Sequence, residues 1–168
     1  FNPLVETDPD RIERLLTLHV LTVTKLCRLF GEAMCRRGSG FILNMSSLST
    51  WMMCPGIQVY GASKAYLYHF SRSIWYEFKP KGVHVMAATP GMGDTTLYGL
   101  DERLRALAVR LGVNTPPDRL ARKALSRLFR RRKTCMPGLV NHLARPLLKH
   151  LPDAVVFRVM KKIGKYQK

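Results

Sequence analysis

Ser47, Tyr60 and Lys64 are the residues in this chain whose types and spacing lend themselves to proton chemistry on an oxygen. Tyr60 and Lys64 stand four positions apart in "VYGASK", with only small residues between them, so on a helix they share one face a turn apart. Ser47 lies 13 residues before Tyr60. A phenol titrates near 10, too high to shuttle protons well at neutral pH, and a cation within about 4–6 Å lowers that value. Lys64 is placed to be that cation. A tyrosine so tuned can give a proton to an oxygen or take one from it, while a serine hydroxyl beside it holds the same oxygen. That describes interconversion of a carbonyl and an alcohol. The carbon must also gain or lose a hydride, which no side chain supplies, so a nicotinamide cofactor is implied.

The elements that must position these groups can be read from periodicity. "TDPDRIERLLTLHVLTVTKLCRLFGEAM" begins with Thr7 and Asp8 as cap candidates and Pro9 as first helical residue, then repeats Ile12, Leu15, Leu16, Val20, Val23, Leu26, Phe30 and Met34 at helical spacing. It predicts one long amphipathic helix over 9–36. "GFILNMS" and "GVHVMAATPG" are apolar runs of strand length, and residues 59–79 between them read as a helix. Such alternation predicts parallel strands joined by right-handed crossovers. Downstream, "DERLRALAVRLG" has a helical period, and "TPPDRLARKALSRLFRRRK" begins a further helix with Thr115 as its cap. "TCMPG" reads as a brief last strand, and residues 139–150 and 153–167 as helices, the first kinked at Pro146. Ligands of an open parallel sheet sit beyond the carboxyl ends of its strands. One such end runs into Ser46 and Ser47, the other into Pro90, Gly91, Met92, Gly93, Asp94 and Thr95.

"ILNMSS", "YGASK" with its serine 13 residues upstream, and "PGMGDT" together resemble the short-chain dehydrogenase/reductases. The resemblance runs from about residue 6 to residue 100 and more loosely to the end. It implies a Rossmann-like, doubly wound α/β fold with Tyr60 as acid/base, Lys64 as a second ligand of the nicotinamide ribose, and Ser47 as the group orienting the substrate carbonyl. It also implies backbone contacts to the cofactor, NAD or NADP, from Pro90, Gly91 and Gly93, and a hydroxyl contact from Thr95. Where family members carry an asparagine that helps a water relay to the lysine, the alignment puts His19, a residue equally able to hold water or to be a core polar group bonded to backbone. The family's opening strand and glycine-rich, pyrophosphate-cradling turn have no counterpart among the twelve glycines here. The sequence therefore reads as a single partial Rossmann-type domain over 1–168, with the catalytic core in 1–100 and a substrate lid plus basic helices in 101–168. "FILNM" then loses the neighbour the missing half would supply, which predicts an exposed apolar sheet edge.

Trp51, Met52, Met53 and Met92 are placed to wall a hydrophobic substrate, although packing explains them equally well. Met92, Leu97, Tyr98 and Leu100 fall where the family has a substrate lid. Cys54 reads as inert, with no neighbouring cation in its segment. The C-terminal stretch "MPGLVNHLARPLLKHLPDAVV" resembles the hydroxysteroid and long-chain 3-ketoacyl reductase branch more than sugar-processing relatives.

Bulk properties bound these readings. The 168 residues suffice for one domain with a core, and the longest apolar runs fall short of the roughly 18 residues of a membrane span. Four scattered cysteines without metal-ligand spacing predict a reducing, cytoplasmic setting. Chain opening on Phe1 reads as a fragment. Of the +17 net charge, residues 101–168 carry 18 basic against 4 acidic residues, and residues 1–100 carry 10 against 7. "RLFRRRK" and the last helix form a basic amphipathic pattern, which is either a solvated face or a surface for anionic lipid headgroups or a phosphorylated carrier such as coenzyme A. Nucleic acid is a third option that basic charge without interleaved aromatics or a binding motif supports only thinly, so no nucleic-acid partner is expected.

Two functions are thus in play. One is an NAD(P)-dependent oxidoreductase acting on a hydrophobic ketone or alcohol, a homo-oligomer by resemblance through its two long helices. The other is a non-catalytic fragment or pseudoenzyme docking on membranes or acidic partners through its basic C-terminus.

Overall fold

The computed structural model describes residues 3–53, 55–91 and 115–163. The first helix, α1 (Pro9–Leu16), begins as its sequence predicts: Asp8 accepts the N–H of Asp10, and Pro9 opens the first turn. A π-helical stretch, Thr17–Thr22, leads without a break into α2 (Val23–Arg37). Gly38 ends the rod at φ 76°, a left-handed conformation that favours glycine. The predicted single helix is therefore present, with a widened turn around His19.

There follow β1 (Gly40–Met45), α3 (Gln58–Phe78), β2 (Val83–Ala88), α4 (Pro117–Phe129), β3 (Thr134–Cys135), α5 (Leu139–Lys149) and α6 (Asp153–Ile163). Thr115 does not cap α4. Pro116 takes the cap position, and no side chain there bonds the first turn. The helix α5 runs through Pro146 without interruption. The predicted helix at 101–112 and the lid residues Leu97, Tyr98 and Leu100 lie outside the described residues.

The sheet has the order β1-β2-β3 with both pairings parallel, Gly40 opposite Val83 and Met45 opposite Ala88. All six residues of β2 are buried, as a strand covered on both faces requires. On one face Ile42, Val83 and Val85 pack with Cys27, Trp75 and Phe78 of α2 and α3. On the other, Leu43, Met86 and Ala88 pack with Ala124 and Leu128 of α4 and with Cys135. This is a Rossmann-like α/β arrangement, and burying each large core side chain contributes about 1.5–3 kcal/mol.

Because the strand order is sequential while α3 and α4 cover opposite faces, the β1–α3–β2 and β2–α4–β3 crossovers have opposite hands. The expectation of uniformly right-handed crossovers fails for one of them. The right-hand preference comes from a twisted strand feeding directly into its helix, and the long connection between Ala88 and Pro117 relaxes it.

Among the described residues nothing pairs with the outer side of β1, so the open sheet edge expected from the sequence is present. The basic run before β3 lies at the pole opposite the carboxyl ends of the strands. There Lys133 Nζ sits 4.1 Å above the Trp75 ring and Arg131 5.7 Å from the Phe41 ring. No helix among the described residues is long and apolar enough to cross a membrane, and Cys27, Cys35 and Cys135 are free thiols.

Candidate active site

The site forms where β1 and β2 end. Ser46 N–H donates to Ala88 O and Leu48 N–H to Pro90 O, both at 2.7 Å, which ties the segment after β1 to the one after β2. Ser47 adopts an extended conformation at the head of a short 3-10 turn, Leu48–Trp51, and its Oγ accepts the Ser49 N–H at 3.2 Å. That bond fixes the serine oxygen and leaves its O–H hydrogen to donate.

Tyr60 occupies the first turn of α3, after the Pro55-Gly56 turn. Lys64 lies one turn further along. Its Nζ donates to Met45 O at 3.1 Å and stands 5.5 Å from the centre of the Tyr60 ring. The helix is anchored here by Ser46, whose hydroxyl donates to Lys64 O at 2.7 Å and pairs with Thr50 Oγ1 at 2.8 Å. Lysine, phenol and the serine two residues beyond Met45 thus share the end of β1. Burial lowers the Lys64 pKa from its ordinary 10.5, because a buried ammonium loses hydration.

His19 joins this group from the π turn. Its Nδ1 lies 2.9 Å from Ser63 Oγ, and its ring meets that of Tyr60 edge-on at 5.8 Å. Ser63 spends its only hydrogen on Tyr60 O, at 2.8 Å, so its oxygen must accept from His19. The neutral imidazole is then protonated on Nδ1 and has its Nε2 lone pair free to accept. Burial, and secondarily the charge of Lys64, lower the His19 pKa below 6.5 and favour that neutral form.

Other predicted site residues fall into two sets. Pro90 and Gly91 line the second rim, and Met92, Gly93 and Thr95 lie outside the described residues. Trp51 packs edge-on against Tyr68 at 4.7 Å and lies under the Arg145 guanidinium at 3.9 Å, while Met53 is largely exposed. The sequence reading passed over Ser63, Thr50, Asn141 and Arg145. Ser63 had a local signal, since a serine three residues after Tyr60 reaches back to its carbonyl. Arg145 had none, because 94 positions separate it from Trp51.

The family model described as short chain dehydrogenase matches residues 1–103. This chain belongs to that family. Its relatives include very-long-chain 3-oxoacyl-CoA reductase of Mus musculus, 37% identical over 88 residues, a match covering 52% of this chain and 28% of the mouse protein. Among solved structures, a short-chain dehydrogenase from Sphingobium yanoikuyae in complex with NADPH superposes with a TM-score of 0.70 at 25% identity, covering 91% of this chain and 62% of that one. A 7beta-hydroxysteroid dehydrogenase superposes with a TM-score of 0.81 at 19% identity, covering 96% and 62%. This short-chain dehydrogenase sequence thus spans only part of the length of the relatives it matches.

The rim fits one end of a nicotinamide dinucleotide. Among the described residues Lys64 Nζ hydrogen-bonds Met45 O alone, which leaves two of its three N–H donors for a hydroxyl-bearing ligand such as a ribose. For the pyrophosphate end the sequence has no glycine-rich turn opening a helix.

Proposed function

We propose that these residues are the catalytic half of an NAD(P)-dependent oxidoreductase that interconverts a hydrophobic ketone and a secondary alcohol. The observation that carries the reading is Lys64, its ammonium fixed on Met45 O and held beside the Tyr60 ring. In the reductive direction Ser47 donates a hydrogen bond to the carbonyl oxygen and Tyr60 gives that oxygen its proton. Lys64 offsets the charge left on the phenol oxygen and holds the ribose hydroxyls. His19, through its free Nε2, accepts from water on the path that returns a proton toward Lys64. The dinucleotide, when bound, supplies or takes the hydride at the carbon.

Trp51 and Met53 supply apolar surface beside the rim, which suits a substrate whose carbonyl is flanked by hydrocarbon. The mouse relative's name, very-long-chain 3-oxoacyl-CoA reductase, describes a ketone with a long hydrocarbon chain on one side. Leu18, Leu21, Leu29 and Phe30 are exposed along the α1–α2 rod, and an apolar stripe of that size supports self-association of two copies through this rod.

The test is Tyr60→Phe in the complete protein. Turnover should fall by roughly 10²–10⁴-fold while cofactor binding stays near wild type. An active Phe variant would remove the acid/base assignment.

A further inference from the structure

The helix α5 has two sides with different surroundings. On its inner side Asn141 is 3% exposed and donates Nδ2 to Pro137 O at 2.9 Å. It lies so close to Gly91 that a Cβ there would come within 2.5 Å of it. One turn on, Arg145 stacks on Trp51 at 3.9 Å. The inner side is therefore held to both rims of the site, the segment after β1 and the segment after β2.

Leu143 and Leu147 follow these two anchors by two positions each, which on a helix turns them to the opposite side. They are 66% and 73% exposed. The next helix, α6, packs extensively on no other element among the described residues, and its Phe157 is 64% exposed. Exposed Lys149, Arg158 and Lys161 flank these apolar groups, and from residue 139 onward the sequence holds Asp153 as its sole acid.

Large apolar side chains left in water beside an almost purely basic surface match one chemistry well: an anionic lipid interface. There the apolar groups enter the acyl boundary and the cations meet headgroups. A purely apolar protein partner would leave that charge unmatched. We propose that the outer face of α5, together with α6, docks on the surface of an anionic lipid bilayer. Because the inner face of α5 walls the catalytic rim, docking sets the mouth of the site beside the lipid, where a hydrophobic ketone partitions. That consequence rests on the oxidoreductase reading, whereas the docking itself does not.

The test is co-sedimentation of the purified chain with phosphatidylcholine vesicles with and without phosphatidylserine. Binding is expected only with the anionic lipid and should weaken as salt is raised. Removing one basic side chain, in Lys149→Ala, Arg158→Ala or Lys161→Ala, should weaken it about fivefold. The Leu143→Ser/Leu147→Ser variant should lose binding by more than about tenfold, with an unchanged circular dichroism spectrum and melting temperature because both side chains are exposed. Equal binding to neutral vesicles, or binding retained by the double serine variant, would overturn the proposal. So would a double variant that turns a dimer into a monomer with vesicle binding unaltered, since this face would then be a self-association surface. No turnover is measured, so failure here leaves the assignment of Tyr60 untouched, and failure of that assignment leaves docking untouched.

Discussion

His19 Nδ1 lies 2.9 Å from Ser63 Oγ, and this bond locks the imidazole to the turn of α3 that carries Tyr60. The serine gives its hydrogen to Tyr60 O, so it can only accept from His19. Protonating His19 would strip water from a charge in a partly buried place and, secondarily, set it near Lys64, which is why its pKa lies below the ordinary 6.5.

The first prediction concerns acid stability. A histidine with a depressed folded-state pKa costs nothing above the unfolded value and destabilises the fold as pH drops below it, since the unfolded chain then binds more protons. Wild type should therefore lose more stability between about pH 7 and pH 5 than His19→Asn does, the window being set by the ordinary histidine value. Urea midpoints of the two proteins at both pH values measure this, and equal losses would show that His19 is not held neutral.

Turnover gives a second prediction for the same residue. In the complete protein His19→Asn should keep most activity, because an amide oxygen can accept where Nε2 does. His19→Leu should lower kcat roughly 10-fold or more with KM for the ketone little changed. Equal kcat in the two variants would place His19 outside the proton path.

Ser47, Tyr60 and Lys64 were legible in the sequence because each sits where a regular element begins or ends, and such ends can be read from apolar period and turn residues. The helix around His19 was legible too, but its π turn was not: one wider turn leaves the apolar spacing of Leu16, Val20 and Val23 almost intact. Nor could burial pattern alone assign a face to α4. With all of β2 buried, both sheet faces look alike from sequence, so the opposite hands of the two crossovers stayed hidden. The Arg145–Trp51 and Asn141–Gly91 contacts are tertiary and carry no local signal.

Gly31 supports a third prediction. A Cβ there would run into the ring of buried Phe78, which packs α2 against α3. Gly31→Ala gains about 1 kcal/mol of helix propensity and incurs about 1–3 kcal/mol of overpacking. Net destabilisation of about 1 kcal/mol should appear in denaturant unfolding, and Phe78→Leu added to it should recover part of the loss. A stabilised single variant would mean that the ring yields freely.

The buried amide of Asn44 gives a fourth. Its Nδ2 donates to Ser71 Oγ at 2.9 Å, and that hydroxyl donates to Leu67 O at 2.6 Å. The Cys27 thiol, at 3.5 Å from the same nitrogen, is a weak substitute. Ser71→Ala should therefore cost about 1–3 kcal/mol by stranding the amide. Ser73→Ala, which removes an exposed bond to His69 O, should change stability by less than about 0.5 kcal/mol.

Hydrogen exchange on β1 tests the open edge directly. Ser46 N–H donates to Ala88 O across the β1–β2 pairing, and amides along a strand alternate in direction, so those of Ile42 and Asn44 also point at β2 while those of Phe41, Leu43 and Met45 point away from it. In this chain the second set should exchange with little protection and the first set slowly. A further strand paired on that side would bond the outward amides and bring both sets to similar protection. Amide-resolved exchange by NMR separates the two arrangements, and uniformly slow exchange along β1 would show that its outer side is already paired, whether by a second copy or by a segment outside the described residues.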